Sequence, residues 1–370
     1  MSIRTVLVTG GAGFIGSHVV DLLLSSGYRV RILDNLEKPT HDSPPDIPKN
    51  AEFLLGDIRN KADLVRAVDS MDAVIHLAAT GGFTADIARY VEVNSLGTAR
   101  LLEAARAAQV KKIVVASSVG IYGEGAYLCE EHRAFHPPMR KLARLEKGIW
   151  ERCCPRCSTG AIPISTHETT SALPSSPYSI SKYDEERLVL SSSIPSVALR
   201  FFLTYGPRQS LTNPYTGVLS IFSSCLLNDA PPVIHEDGLQ TRDFVYVTDV
   251  ARAVLIALER AEEGVFNVGT GVPTTILSVV KTLGILYRKD LAPELFGTYR
   301  LGDARHLVAD ASSLMSLGWH PTVTLEDGMR RYAEWALSQE AVKNYFSHAL
   351  PRLKETSVIR GGREKKAHSK

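Results

Sequence analysis

The chain has 370 residues, 44% of them apolar and 22% charged, which is ordinary for a globular protein and leaves room for one large α/β domain and a smaller lobe. A net charge of +2 gives no global field, so no nucleic-acid partner is expected. No stretch reaches the roughly 20 apolar residues of a membrane span, and no leader pattern precedes the first glycine-rich turn. The expectation is a cytoplasmic protein with reduced thiols, whose clustered cysteines point to metal or redox chemistry rather than disulfides.

In chain order, 5–10 (TVLVTG) reads as a buried strand and 14–27 (FIGSHVVDLLLSSG) as a helix with one apolar face and a terminal glycine. Strands follow at 28–35 (YRVRILDN), 51–58 (AEFLLGDI), 72–79 (DAVIHLAA) and 111–118 (KKIVVASS), with helical stretches at 61–70 (KADLVRAVDS) and 92–109 (EVNSLGTARLLEAARAAQ). Such alternation implies a parallel sheet covered on both faces, a doubly wound Rossmann α/β fold. Stretches 196–206 and 264–271 read as later strands of the same sheet. After residue 205 the rhythm changes to turns, single helices and short strands. The expected division is therefore a dinucleotide-binding domain at 1–205, with an insertion at 124–170 and strands in 240–271 returning to it. A substrate-binding lobe is expected at 206–239 and 272–338. Residues 339–370 are expected to be a helix end and a basic tail. The final run RGGREKKAHSK has no apolar period and reads as disordered, with an interaction tail as the sharper alternative.

The first chemical signal is VLVTGGAGFIG, which puts Gly10, Gly13 and Gly16 between a strand and its helix. Small residues there let backbone approach a pyrophosphate at the helix N-terminus. Asp34 ends the second strand, where an acid meets the adenosine ribose hydroxyls and repels a 2′-phosphate, and Asn35 and Leu36 bring no base to hold one. The expected cofactor is NAD. Asp57, after the third strand, is a candidate for the adenine end or else a turn or helix-capping aspartate.

The insertion holds four of the five cysteines. Cys129-x-x-His132 and Cys154-x-x-Cys157 are two short-loop pairs of the kind that hold a tetrahedral zinc, and Pro155 favours the tight turn of a knuckle. A structural zinc would staple a loop that is otherwise long and structureless. Cys153 is the alternative to Cys154, and His136 to His132. A redox CxxC lacks a thioredoxin-like setting, and the cysteines could also be unliganded.

Tyr178-Ser-Ile-Ser-Lys182 puts a tyrosine and a lysine four apart, on one helix face. The ammonium stabilises the phenolate, which fits a general base. Ser118, at the end of a strand, could bond the reacting hydroxyl and relay its proton.

TGGAGFIG, SSVGIYG, YSISK, LRFFLTYGPRQ and TRDFVYVTDVARA, together, resemble the extended short-chain dehydrogenases, in the NAD-dependent nucleotide-sugar epimerase/dehydratase family. The resemblance covers residues 1 to about 335, and NPYTGVLS with EDGLQTRDFVYV is most similar to the branch that epimerises dTDP-L-rhamnose at C4. It implies a catalytic set of Ser118, Tyr178 and Lys182, with transient oxidation at C4 and return of the hydride to the other face of a 4-keto sugar. The dehydratases of the family follow the catalytic hydroxyl with an Asp-Glu pair, the decarboxylases carry a glutamate, and the 3,5-epimerases a cysteine. This chain has Val119 and Gly120 there, so C4 redox without elimination is what remains.

The resemblance also implies dinucleotide contacts from Phe14, Ile15, Ile58, Leu77, Ala78, Ala79 and Asn94. It implies substrate contacts from Thr80, Tyr122, Asn213, Arg208, Arg242 and Arg305, the arginines as ligands of a nucleotide diphosphate or else as surface or structural residues, an alternative that weighs most for Arg208. His76 is implied as a scaffold residue, and Tyr122 and Asn94 also look like site-wall and helix-positioning residues. One departure is Leu203, where the family has an asparagine that helps hold the diphosphate; leucine has no such donor. A homodimer is implied through the helices starting near Asn94 and Tyr178. The alternatives are a 4-ketoreductase on the same scaffold, which Asp34 disfavours because such enzymes often use NADP, and a non-catalytic NAD-binding regulator.

Overall fold

The computed structural model describes residues 3–38, 40–41, 44–82, 86–213, 217–339, 342, 350–351, 353–356 and 358–362. Its centre is a seven-stranded parallel sheet. β1 (Thr5–Thr9), β2 (Arg29–Asp34), β3 (Glu52–Leu55), β4 (Ala73–His76) and β5 (Lys112–Ser118) are joined by Ser196–Phe201 and Gly264–Val268. From one edge the order is Gly264–Val268, Ser196–Phe201, β5, β4, β1, β2, β3. All five residues of β1 are buried, as expected of a strand covered on both faces. One face packs on α1 (Phe14–Ser25) and the helix Val247–Arg260, with Val19, Val20 and Leu23 meeting Val250, Val254 and Ala257 in one core. The other face packs on helices Lys61–Val68, Gly97–Ala107 and Pro177–Leu190 through Leu64, Leu101 and Val189. Strand order reverses between β1 and β4, which opens a crevice at their carboxyl ends.

The stretch 196–206, which reads as one strand, is two. Ser196–Phe201 stays in the sheet, and Leu203–Tyr205 leaves it to pair with Thr241–Tyr246. That partner also leaves the expected domain: Thr241–Tyr246 pairs with Pro273–Thr275 and His306–Leu307 in a second sheet, and only Gly264–Val268 returns to the first. The run 197–205 is apolar but for Arg200 and Thr204, and it carries no period to mark where the chain changes partner. Helices Val218–Leu227, Ile276–Tyr287 and Leu325–Leu337 close the lobe around its own core, which includes Phe222, Leu283 and Tyr332.

The insertion is not structureless. Ala126–Cys129 pairs with both Arg133–Phe135 and Ile162–Ile164, and a single bridge joins Cys153 to Gly160. The expected disorder from residue 360 onward is corrected for its first residues. Ile359–Gly361 forms a strand against Thr298–Arg300, because Ile359 buries its side chain in the lobe core. The rest of that run, 363–370, lies outside the described residues. Among the described residues no helix is long and apolar enough to cross a membrane.

Candidate active site

The glycine turn follows β1 directly. Gly10 has φ +68, and a Cβ there would stand 2.7 Å from the Ala78 nitrogen on the neighbouring loop; a Cβ on Gly16 would overlap the Gly10 carbonyl. The turn is thus packed so tightly on its own helix and on β4's loop that side chains are barred. Gly13 caps α1 without a side-chain bond, so the first N–H groups of that helix face the crevice unshielded. Asp34 accepts hydrogen bonds from the Ala12 N–H at 3.1 Å and the Leu36 N–H at 3.0 Å, which fixes a carboxylate at the end of β2. A cavity of about 470 Å³ runs from these residues past Asn35, Asp57, Ile58, Leu77, Ala78, Ala79 and Thr80 to Phe14, Ile15 and Tyr178. The cradle, the uncapped helix and the acid fit a dinucleotide.

Asp57 is already engaged. It accepts from Asn35 at 2.9 Å and from both arms of Arg59, and the Arg59 hydrogen bonds hold it down to about 2. It is ionised at any working pH. Lys38, His41 and Arg89 also line this end, and Arg89 is paired with Glu37. None of these three was expected at this end, since only Asn35 and Leu36 directly follow Asp34.

A second cavity, of about 570 Å³, shares Phe14, Ile15, Leu77, Tyr178 and Asn213 with the first. Ser118, Tyr178 and Lys182 line it together. Ser118 closes β5, and its hydroxyl accepts the Gly120 N–H at 3.1 Å, which turns the chain. Helix Pro177–Leu190 starts with proline in its first turn and a capping box between Ser176 and Ser179, so Tyr178 projects from a well-fixed first turn. The Tyr178 ring lies 6.0 Å from that of Tyr90. Asn94 ties this helix to the crevice loop: it bonds the Thr80 N–H at 2.8 Å, the Thr80 carbonyl at 3.0 Å and the Ser181 hydroxyl at 2.9 Å. It stands in one wide turn, Val91–Leu96, of an otherwise regular helical run. Asn94 is therefore a brace behind the dinucleotide cavity rather than part of its lining.

The far end of the second cavity belongs to the lobe. Arg242 lines it with Asp303, to which it is bonded at 2.7 Å. Arg300, His235, Gln209 and Gln240 line it too, and none of the four was read from the sequence. Arg300 ends the strand Thr298–Arg300, outside the motifs that pointed to Arg242. Burial lowers His235 to about 3, so it is neutral. The carbonyl oxygens of Gln209 and Gln240 are buried with no partner among the described residues, which leaves two acceptors for a ligand's O–H or N–H. Leu203 is in the wall, as its place in the sequence required.

Of the expected substrate residues, Asn213 and Arg242 line this cavity, Thr80 lines only the first, and three are elsewhere. Tyr122 is buried between Arg200, which donates to it at 2.8 Å, and Asn267, which it bonds at 2.7 Å. It is scaffold, because that pairing turns its hydroxyl inward. Arg208 is half exposed and pairs with Asp21 at 2.7 Å, on a third cavity behind Gly13. Arg305 is fully buried and held by carboxylates: Glu236 at 2.9 Å, Asp237 at 2.7 Å and Glu151 at 2.9 Å. Its guanidinium has no free edge for a phosphate. Glu151 comes from the insertion, and Arg140 of the same insertion bonds Glu236 at 2.7 Å and the Asp303 carbonyl at 2.9 Å. The insertion is thus fastened by charge to the loop that carries Asp303.

In the insertion, Cys129, His132, Cys154 and Cys157 offer four ligand atoms within 4.8 Å of one another. Cys129 Sγ is 3.6 Å from Cys157 Sγ and 3.7 Å from His132 Nδ1, and Cys154 Sγ is 3.5 Å from the same nitrogen. His136 is turned away to the carbonyls of Tyr122 and Glu124, and Cys153 contacts Arg144. The cysteines form no disulfide.

The model of the NAD dependent epimerase/dehydratase family matches residues 6–141 and 156–269, breaking inside the insertion. The chain is 34% identical to a dTDP-L-rhamnose 4-epimerase of Burkholderia thailandensis, over 92% of this chain and 97% of that one. It superposes on the UDP-glucose 4-epimerase of Thermotoga maritima, solved with UDP-glucose, with a TM-score of 0.74 at 32% identity, over 90% and 98% of the two chains. For the UDP-glucose 4-epimerase of Thermus thermophilus, solved with NAD, the TM-score is 0.71 at 32% identity, over 90% and 99%.

Proposed function

The chain belongs to the NAD-dependent epimerase/dehydratase family, as a nucleotide-sugar epimerase, and on that premise we propose that it inverts C4 of a dTDP-linked 6-deoxyhexose. The observation that carries the C4 chemistry is one wall: Ser118, Tyr178 and Lys182 line the same cavity, continuous with the glycine cradle, and the two positions after Ser118 are Val119 and Gly120, with no acid to drive an elimination. Bound NAD supplies a reversible hydride acceptor. Tyr178 takes the C4 hydroxyl proton and later gives it back, and Ser118 holds that hydroxyl in line. Lys182 keeps a positive charge beside the phenol. Arg242 and Arg300 take the diphosphate, and the carbonyls of Gln209 and Gln240 accept from the sugar or the base, in place of the amide that Leu203 removed. The Burkholderia relative supports the dTDP-6-deoxyhexose.

Protein as isolated is expected to carry NAD in its ultraviolet spectrum. Offered a panel of nucleotide sugars in ordinary and deuterated water, it should yield by NMR a C4 epimer with no net oxidation. A product reduced at the expense of added NAD(P)H identifies a ketoreductase instead, and loss of water from the sugar refutes the C4-only reading.

We also propose a structural zinc on Cys129, His132, Cys154 and Cys157. Zinc–sulfur and zinc–nitrogen bonds in a tetrahedron set ligand separations of about 3.5 to 3.8 Å, the spacing of the three short pairs here. Four protein ligands leave no open position, so the metal's part is to hold the loop. The proposed homodimer uses Ile87, Val91, Leu96 and Ile180, exposed apolar side chains on the helical segments around Asn94 and Tyr178. Light scattering with elemental analysis on the same peak is expected to give twice the 40.4 kDa chain mass and about one zinc per chain. Metal-free protein that folds and remains unchanged on chelation removes the zinc.

A further inference from the structure

Behind Tyr178 and Lys182 lies a buried polar column that the proposed chemistry leaves unused. Glu185 follows Lys182 by three residues, which on a helix sets the side chains beside each other. Both are buried, 3% and 0% exposed, and Lys182 Nζ forms an ion pair with Glu185 Oε2. The other carboxylate oxygen is 3.5 Å from Thr98 Oγ1 and 3.5 Å from His76 Nε2. Thr98 donates its hydroxyl hydrogen to the Asn94 carbonyl, and His76 is spanned by Thr9 at 2.7 Å and Thr98 at 2.9 Å.

The charges around Glu185 are few. From β4 comes only His76, which burial, and then Lys182, lowers to about 3, so it is neutral. β5 offers hydroxyls, and its Ser117 bonds Glu186. From the strand Ser196–Phe201 comes Arg200, whose charge is taken by Glu186. Arg89, on the packed segment Ile87–Tyr90, pairs with Glu37. On its own helix, Asp184 turns outward to Ser95. Lys182 is therefore the one cation recorded against Glu185 among the described residues. Lys182 lines the sugar cavity and Glu185 does not.

We infer that Glu185 is a positioning residue for the Tyr178/Lys182 pair: it anchors the ammonium from behind and sets how much positive charge reaches the tyrosine oxygen. The inference rests on the reading of Tyr178 as the acid–base group. Burial pushes Glu185 up to about 7, against the pull of Lys182. Its charge is therefore absent in weak acid and present in weak base. As pH rises through that range a negative charge appears beside Lys182, and the Tyr178 phenolate becomes harder to form. As pH falls, the ammonium acts on the phenol unopposed.

Glu185→Gln removes the charge at every pH and nearly keeps the shape. With NAD-loaded protein, phenolate absorbance is titrated in wild type and Glu185→Gln, each referenced to its own Tyr178→Phe counterpart. The phenolate should appear about one pH unit lower in Glu185→Gln, roughly tenfold more phenolate at a given pH. The acid limb of kcat for the epimerised sugar should move down equally, with KM within about twofold and Glu185→Asp restoring the wild-type limb. Superimposable titrations overturn the inference, and so does a Glu185→Gln protein changed only in stability or KM. If no sugar is turned over, the function reading fails, and the phenolate titration still decides the role of Glu185. If Glu185→Gln does not fold, wild type decides: two interacting sites broaden the phenolate curve beyond that of a single site, and a single-site curve overturns the inference.

Discussion

Tyr178→Phe is expected to lower kcat by about 10²- to 10⁴-fold, with NAD still bound and KM nearly unchanged. The substitution removes one oxygen and keeps the ring, so the contact with Tyr90 at 6.0 Å and the wall shared by the two cavities should persist. Ser118 remains in the cavity and can still hold the C4 hydroxyl, but a serine has neither the acidity nor the adjacent ammonium to replace the phenol. The residual rate then measures what positioning alone supplies. Steady-state kinetics with the epimerised sugar, alongside the bound-NAD spectrum, is the measurement. A variant as fast as wild type removes Tyr178 from the mechanism, and one that has lost NAD reports on binding instead.

The second large effect is on stability. Arg305→Met should cost about 3 kcal/mol, at the lower end of the roughly 3–5 kcal/mol that follows when one partner of a buried ion pair is removed. Arg305 is fully buried, and despite that burial Asp237 and Glu151 raise its pKa above the usual guanidinium range. Methionine fills the space and leaves Glu236, itself 5% exposed, facing Arg140 alone. The cost falls short of the maximum because Glu151 and Asp237 are partly exposed and can turn to water. Urea unfolding with the midpoint and slope both fitted is the measurement. A phosphate ligand would behave oppositely, with unchanged stability and a raised KM, so that outcome would return Arg305 to the substrate.

The parts of this molecule set by local pattern were legible. Alternating apolar strands and helices announced the central sheet through β5, and the spacing of Gly10, Gly13 and Gly16 announced a turn that excludes Cβ atoms. Tyr178 and Lys182 reach one cavity because helical periodicity is local. Long-range pairing was not legible. Nothing near Phe202 marks that the chain changes sheets, and nothing near Arg305 marks that four acidic side chains from distant segments, Glu124 on its backbone N–H among them, converge on it. The lining by Arg300, His235, Gln209 and Gln240 has the same origin, since it is assembled from three separated segments, with His235 and Gln240 on one of them. The short strands of the insertion escaped because three residues are too few for a period.

The fastening of the insertion bears on inheritance. In sequence it lies within the first half of the chain; in space its charged anchors, Arg140 and Glu151, are owned by Glu236, Asp303, Arg305 and His306 of the second. The two cannot be exchanged between relatives as separate modules. A chain that dropped the insertion would leave a buried arginine and a buried glutamate with half their partners, and a chain that acquired it without those residues would bury Arg140 with only Glu124 of the insertion against it. The loop and its acceptor surface are one heritable unit written in two places.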